Sequence, residues 1–134
     1  MTCGSVYDVL RASDAAIVAS GTATLETALM NVPMVIVYRV SRLTAFMVRM
    51  LATYEHVGLP NIVAGRRIVP ELLQEAVIGE NIMQAIVPLV NEQSVRTAVQ
   101  RDLAEVRKRL GEDGASGRAA AVVLEHLGIL GGTL

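Results

Sequence analysis

The run Ser20-Gly21-Thr22-Ala23-Thr24-Leu25-Glu26 holds the residues of this 134-residue chain best suited to chemistry. A glycine among small hydroxyl side chains lies between an apolar stretch of strand length, 15–19, and a segment that continues as a helix over 22–30. Asn31 and Pro33 end that helix, and a second apolar stretch, 34–38, follows. At a strand-to-helix turn the first backbone N–H groups are unpaired and the helix dipole is positive. Such a turn is a ready pocket for an anion, most often a phosphate. Glu26, one turn into the helix, is placed to accept a hydrogen bond from a sugar hydroxyl. The same residues have a purely structural explanation. Glycine and small residues suit tight turns, and an acid in a first helical turn complements the dipole. Glu26 does not complete a capping box, because the residue three before it is Ala23. Spacing alone leaves phosphate or nucleotide binding and plain turn chemistry as equal alternatives.

The elements that must position this turn follow from hydropathy and breaker residues. Residues 6–12 read as a short helix with Val6, Val9 and Leu10 on one face. The stretches 15–19 and 34–38 lack alternation, as in a parallel sheet covered on both faces. Ser41 suits the cap of a helix over 43–53 that is apolar nearly all round, through Leu43, Phe46, Met47, Met50 and Leu51. Such a helix is buried in a core, lies between domains, or touches a membrane. Residues 56–59 read as a brief third strand and 60–67 as a loop with Gly65 and two arginines. Pro70 suits a first helical turn, so 69–75 reads as a short helix. A helix carrying Ile82, Met83, Ile86, Leu89 and Val90 is expected to bend at Pro88. Ser94 caps the next helix, whose apolar stripe is Val95, Val99, Leu103, Val106 and Leu110, with Gly111 as its terminator. A last helix runs from Ser116 to about 127, ahead of a loose tail at 128–134. The fold class is α/β: an α/β part over 1–78 and a helical part over 79–127.

Composition narrows the function classes. The apolar fraction is 52% and the mean hydropathy is +0.46, high for so short a chain, which points to faces that meet something else. The longest apolar stretch, 43–51, contains Arg49 and is far below the roughly 20 residues of a spanning helix. Asp8, Arg11 and Asp14 interrupt any signal-peptide run. Cys3 is the only cysteine, which excludes an intrachain disulfide, and His56 and His126 are isolated, so no metal site is expected. Residues 39–67 hold five arginines against Glu55, a basic segment that either faces phosphates or anionic lipid or is simply solvated. With one phenylalanine and three tyrosines the chain lacks the stacking platforms of single-stranded nucleic-acid binding, so no nucleic-acid partner is expected.

Three blocks carry a family resemblance. They are the run from residue 13 to Arg39, the octapeptide Leu59-Pro60-Asn61-Ile62-Val63-Ala64-Gly65-Arg66, and Val69-Pro70-Glu71-Leu72-Leu73-Gln74-Glu75. In this order and spacing the chain, over about residues 4–127, resembles the carboxyl-terminal third of the lipid-A-disaccharide synthases. The resemblance implies the distal half of a Rossmann-like GT-B nucleotide-sugar-binding domain with a helical carboxyl-terminal extension. It also implies a further strand before residue 6 and an amino-terminal acceptor domain outside these residues. The implied activity is inverting transfer of 2,3-diacylglucosamine from UDP to 2,3-diacylglucosamine 1-phosphate, at the cytoplasmic face of the inner membrane of a Gram-negative bacterium. No cofactor or metal is implied. The donor site would comprise Ser20, Gly21, Thr22 and Ala23 for the diphosphate, Glu26 for the ribose, and Asn61, Arg66 and Gln74 lining the pocket. No catalytic residue is expected here, since the base belongs to the acceptor domain. Glu71 reads as structural. Implied partners are the UDP-sugar donor, the acylated glucosamine phosphate acceptor, a membrane surface and a second protomer. Two other readings stand beside this one: a non-catalytic helical dimerisation module, and another UDP-sugar enzyme of the same fold, against which the Asn61-to-Arg66 block argues.

Overall fold

Three parallel strands carry the turn at Gly21. In the computed structural model, which describes residues 5–40, 56–111 and 114–126, they are β1 (Ala16–Ala19), β2 (Met34–Tyr38) and β3 (Glu71–Leu73), in the order β1-β2-β3. Ile17 lies beside Val35 and Ala19 beside Val37; Ile36 lies beside Glu71 and Tyr38 beside Leu73. The helices are α1 (Val6–Arg11), α2 (Thr22–Leu29), α3 (Leu59–Ala64), α4 (Gly79–Asn91), α5 (Gln93–Leu110) and α6 (Ala115–His126). The described part is thus α/β, with a small all-parallel sheet. No described helix is long and apolar enough to cross a membrane.

The core forms where one face of β2 meets helices. Met34 and Ile36 pack with Ala28 of α2, Ile68 and Val69 before β3, and Leu103 and Val106 of α5. The middle of the stripe read on α5 is its buried face, with Leu103 at 0% and Val106 at 1% exposure, Val95 and Val99 are half-buried, and Leu110 at its end is exposed. Helix α5 also packs on α2, α3 and α4. On the opposite face Val35 is buried but its neighbour Ile17 is 53% exposed, so β1 is covered on one side only. The expectation of cover on both faces holds for β2 and fails for β1.

Helix α3 and strand β3 are short, and a buried polar network holds them. A helix of six residues is unstable by itself. Asn61 is 0% exposed. Its Nδ2 donates to the Val69 carbonyl at 2.9 Å and to Glu71 Oε1 at 2.7 Å, and its Oδ1 accepts from the backbone N–H groups of Ile68 at 2.8 Å and Val69 at 3.0 Å. Two backbone donors on one side fix which end of the amide is oxygen. Glu71 in turn accepts from the N–H groups of Val57 at 3.0 Å and Gly58 at 2.9 Å, which places its charge at the positive end of α3. Gly58 has an ordinary φ of −81° but no room for a side chain: a Cβ there would lie 2.3 Å from Ile36 Cδ1 and 3.0 Å from Glu71 Oε1. At the other end Gly65, at φ 68°, reverses the chain, and Arg66 N–H returns to the Asn61 carbonyl at 3.2 Å.

Several boundaries differ from the sequence reading. Residues 56–58 are irregular, with a bend at Gly58, and the third strand is Glu71–Leu73, inside the stretch read as a helix. Pro70 suits a first helical turn, but here its carbonyl accepts from Ile36 N–H at 2.8 Å and feeds the chain into the sheet. Pairing with β2 overrides the local preference, and only a 3-10 turn, Gln74–Ala76, follows. The segment read as a loop over 60–67 opens with a helix that has Pro60 in its first turn. Helix α5 begins before Ser94, with Glu92 as its cap and no capping side chain. Glu92 is also the end of α4, and Arg96 reaches back to the Leu89 carbonyl at 3.2 Å and to the Val90 carbonyl, taking acceptors that a helix end leaves open. The helix over 43–53 and the tail at 128–134 lie outside the described residues.

Asn61→Asp keeps the acceptor side of the network and replaces its donor with oxygen facing Glu71 and the Val69 carbonyl. We expect a loss of about 3–5 kcal/mol at neutral pH, the scale for an uncompensated buried charge. The loss should shrink in part as pH falls, because a proton on the introduced carboxyl restores one of the two donors. Urea unfolding at two pH values checks both statements.

Candidate functional site

The carboxyl ends of parallel strands are where open α/β sheets bind ligands, and the turn at Gly21 lies at that end of β1. Ser20 N–H extends the ladder by donating to the Val37 carbonyl at 2.9 Å. Gly21 then adopts φ 151°, ψ −167°, a conformation open essentially to glycine alone. Nothing lies within 4 Å of a Cβ built there, so the backbone and not crowding demands the glycine. Helix α2 starts without a capping side chain. Thr24 N–H and Thr24 Oγ1 both return to the Gly21 carbonyl, at 3.1 and 2.7 Å, and Thr27 Oγ1 to the Ala23 carbonyl at 2.8 Å. These two hydroxyls are buried and spent on the helix itself. The N–H groups of Thr22 and Ala23 have no acceptor among the described residues. Two aligned donors at the positive end of a helix are suited to an anion.

Glu26 lies four residues after Thr22, so the two share one flank of α2, away from the buried Thr24, Thr27 and Ala28. Glu26 is half-buried, and its carboxylate has no hydrogen-bond or ion-pair partner among the described residues. Gln74 stands at the corresponding end of β3. Its Oε1 accepts from Val40 N–H, just past β2, at 3.1 Å, and its φ is 52°, left-handed for a residue with a side chain. Ser20, Gly21, Thr22, Ala23 and Gln74 are thus gathered at one edge of the sheet, with Glu26 one turn behind.

Asn61 and Arg66 stand elsewhere. The Asn61 amide has its donors and its oxygen taken up by the network around Val69 and Glu71. Arg66 Nη2 is 3.0 Å from Asp102 on α5, with 58% of its side chain exposed. An ion pair that exposed contributes little and is easily exchanged for another partner. Glu71 braces the start of α3, a structural role as expected, but from a strand and not from a helix start. Gly58 was missed, and a close approach of this kind leaves no local signal. Arg39, exposed just past β2, belongs to the same edge by the crevice rule. Two clefts, of about 410 Å³ beside Pro70, Gln84 and Leu89 and about 230 Å³ beside Asp14, Pro33 and Arg96, contain none of the expected site residues.

Gly21→Ala should cost about 1–3 kcal/mol from backbone strain alone. Gly65→Ala, at an ordinary left-handed φ, should cost about 1 kcal/mol. Parallel denaturant unfolding of both variants tests the order.

Comparison with known proteins places this geometry in a family. The family model described as lipid-A-disaccharide synthetase matches residues 2–125. The chain is 46% identical over 121 residues to the lipid-A-disaccharide synthase of Syntrophus aciditrophicus, covering 90% of this chain and 32% of the relative. It is 44% identical over 128 residues to that of Geobacter sulfurreducens, covering 96% and 33%, and 48% identical over 124 residues to that of Myxococcus xanthus, covering 92% and 32%. The chain therefore spans about a third of the length of the curated relatives it matches. A match that runs through the Gly21 turn, α3, β3 and the helices beyond takes in the whole described fold, and the chain belongs to the lipid-A-disaccharide synthetase family.

Proposed function

We propose that this chain is the donor-binding part of a lipid-A-disaccharide synthase, an inverting GT-B hexosyltransferase that moves 2,3-diacylglucosamine from UDP to 2,3-diacylglucosamine 1-phosphate. The observation that carries the reading is the pair of amides at Thr22 and Ala23, unpartnered among the described residues, behind a glycine-only turn at the carboxyl edge of the sheet, in a chain of this family. The parallel sheet is then the distal half of a Rossmann-like domain, and α4 to α6 its helical extension.

In this reading the diphosphate sits on the amides of Gly21, Thr22 and Ala23, with the Thr22 hydroxyl beside them. Charge builds on UDP as the sugar leaves, and fixed N–H dipoles stabilise it without having to reorganise. Glu26 takes ribose hydroxyls. Gln74 keeps its amide N–H₂ for the sugar while its oxygen holds Val40. Arg66 reaches phosphate after releasing Asp102, a bidentate contact for which its guanidinium is suited. Asn61 serves by holding the loop, because its amide is already engaged. The acceptor and the general base belong to a further domain. In this reading the acyl chains of both substrates bring the intact enzyme to a membrane surface, the cytoplasmic face of the inner membrane being the one proposed.

A second reading is favoured by the helices. Met83 is 58% exposed on α4, and Val122 and Val123 are 63% and 56% exposed on α6. These apolar positions suit contact with a second protomer, and light scattering across a concentration series distinguishes dimer from monomer.

Two outcomes test the main reading. Glu26→Ala in the full-length protein should weaken UDP binding by about 1–3 kcal/mol, the scale of a hydrogen bond to a charged group, with a much smaller loss of thermal stability. Calorimetry with unchanged UDP affinity and a large fall in Tm would leave Glu26 a helix-dipole residue only. The 134 residues alone should form no disaccharide, because proximity and base catalysis are lost together. Disaccharide produced by the isolated chain at the rate of an intact enzyme would refute the division of roles.

A further inference from the structure

Ser20 adjoins the Gly21 turn, yet its hydroxyl is directed away from an anion. Ser20 Oγ donates to the Val57 carbonyl at 3.3 Å. A carbonyl oxygen only accepts, so while this long contact is made the hydroxyl proton points to Val57 and Ser20 offers lone pairs to anything else. Lone pairs repel phosphate oxygens. The peptide at Val57 is gripped from its other side by Glu71, whose Oε2 accepts Val57 N–H at 3.0 Å while Oε1 accepts Gly58 N–H at 2.9 Å. The missing Cβ at Gly58 is what lets the carboxylate and Ile36 come this close. A continuous line of hydrogen bonds thus runs from β3 through the Val57 backbone to the last residue before the turn.

We infer that Ser20 and Glu71 are positioning residues acting in series: Glu71 fixes the Val57 peptide, the Val57 carbonyl fixes Ser20, and Ser20 sets the amides of Thr22 and Ala23 in place before the nucleotide diphosphate arrives. A turn ordered in advance does not have to be ordered on binding, so its affinity is higher. This inference rests on the donor-site reading of the same edge.

A double-mutant cycle in the full-length protein, read by UDP calorimetry, tests it. Ser20→Ala removes the last link. In Glu71→Gln an amide N–H₂ meets Val57 N–H, donor against donor, which pushes Val57 out of place, and the neutral oxygen left on Gly58 N–H grips the Val57–Gly58 peptide less tightly than the carboxylate does. Each single variant should weaken UDP binding about 5- to 10-fold, and the double variant no more than the weaker single, since both cut one line. Ser20→Thr keeps the hydroxyl and should keep the affinity. Effects that multiply to about 25- to 100-fold would overturn the series link. So would a Glu71→Gln protein with lower Tm and unchanged UDP affinity. If Glu71→Gln does not fold, hydrogen exchange of Ser20→Ala without nucleotide decides. Faster exchange in the peptide spanning residues 20–23 is expected, and unchanged exchange would overturn the proposal. Failure of the unsubstituted protein to bind UDP would remove the donor-site reading itself, whereas the exchange measurement still reports whether the line holds the turn.

Discussion

The amide of Asn61 and the carboxylate of Glu71 hold together parts of the chain that could not hold themselves. Strand β3 has three residues and α3 has six, and both lie at the end of a long excursion from β2. Apolar burial through Ile68 and Val69 attaches this excursion to the core, but it does not set the register. The hydrogen bonds do, because each has one donor and one acceptor that fit. The energetics are asymmetric. A satisfied bond contributes on the order of 1 kcal/mol net, whereas a buried group left without its partner costs about 1–3 kcal/mol. The network is therefore more important for choosing one arrangement than for adding stability, as expected of a fully satisfied buried polar cluster.

That arrangement decides what stands at the carboxyl edge of the sheet. With β3 in register, Gln74 emerges next to the end of β2 and takes Val40 N–H. Its positive φ is unfavourable for a residue with a Cβ, and the side-chain hydrogen bond helps to offset it. Gly21 adopts a still more restricted conformation on the same edge. Two uncommon backbone states beside two amides that have no acceptor among the described residues fit a surface shaped for something other than its own stability. Helix α5 serves the same edge from a distance, since its Leu103 and Val106 supply the core on which α2 rests.

What the sequence disclosed follows from how local each determinant is. Strand β2 and the stripe of α5 were legible because burial repeats at a fixed period within one element. The turn at Gly21 was legible because a glycine between an apolar run and a helix has few other uses. Residues 69–75 were misread because Pro70 carries a local preference for a helix start, while the pairing partner that overrules it, β2, lies far away in the chain. The family resemblance implies Asn61 as pocket lining; a resemblance carries a position but not its burial, and here every polar atom of the amide is turned inward. The resemblance likewise implies Arg66, and its pairing with Asp102 depends on how α5 crosses α3. The three blocks that carried the family resemblance led to the right family, and two of them are the places where the local reading of structure went astray.

The gap at Gly58 ties the evolution of one position to another. The atom that most crowds a Cβ there is the terminal methyl of Ile36, nearer than Glu71 Oε1. Valine at residue 36 would remove that methyl and open a small void under the loop, which an alanine at residue 58 could then fill. Each change alone is harmful, one by crowding and the other by underpacking, yet the pair conserves volume. Acceptable substitutions at these two sites are thus conditional on each other, and natural variation among relatives should pair a smaller residue at 36 with any departure from glycine at 58.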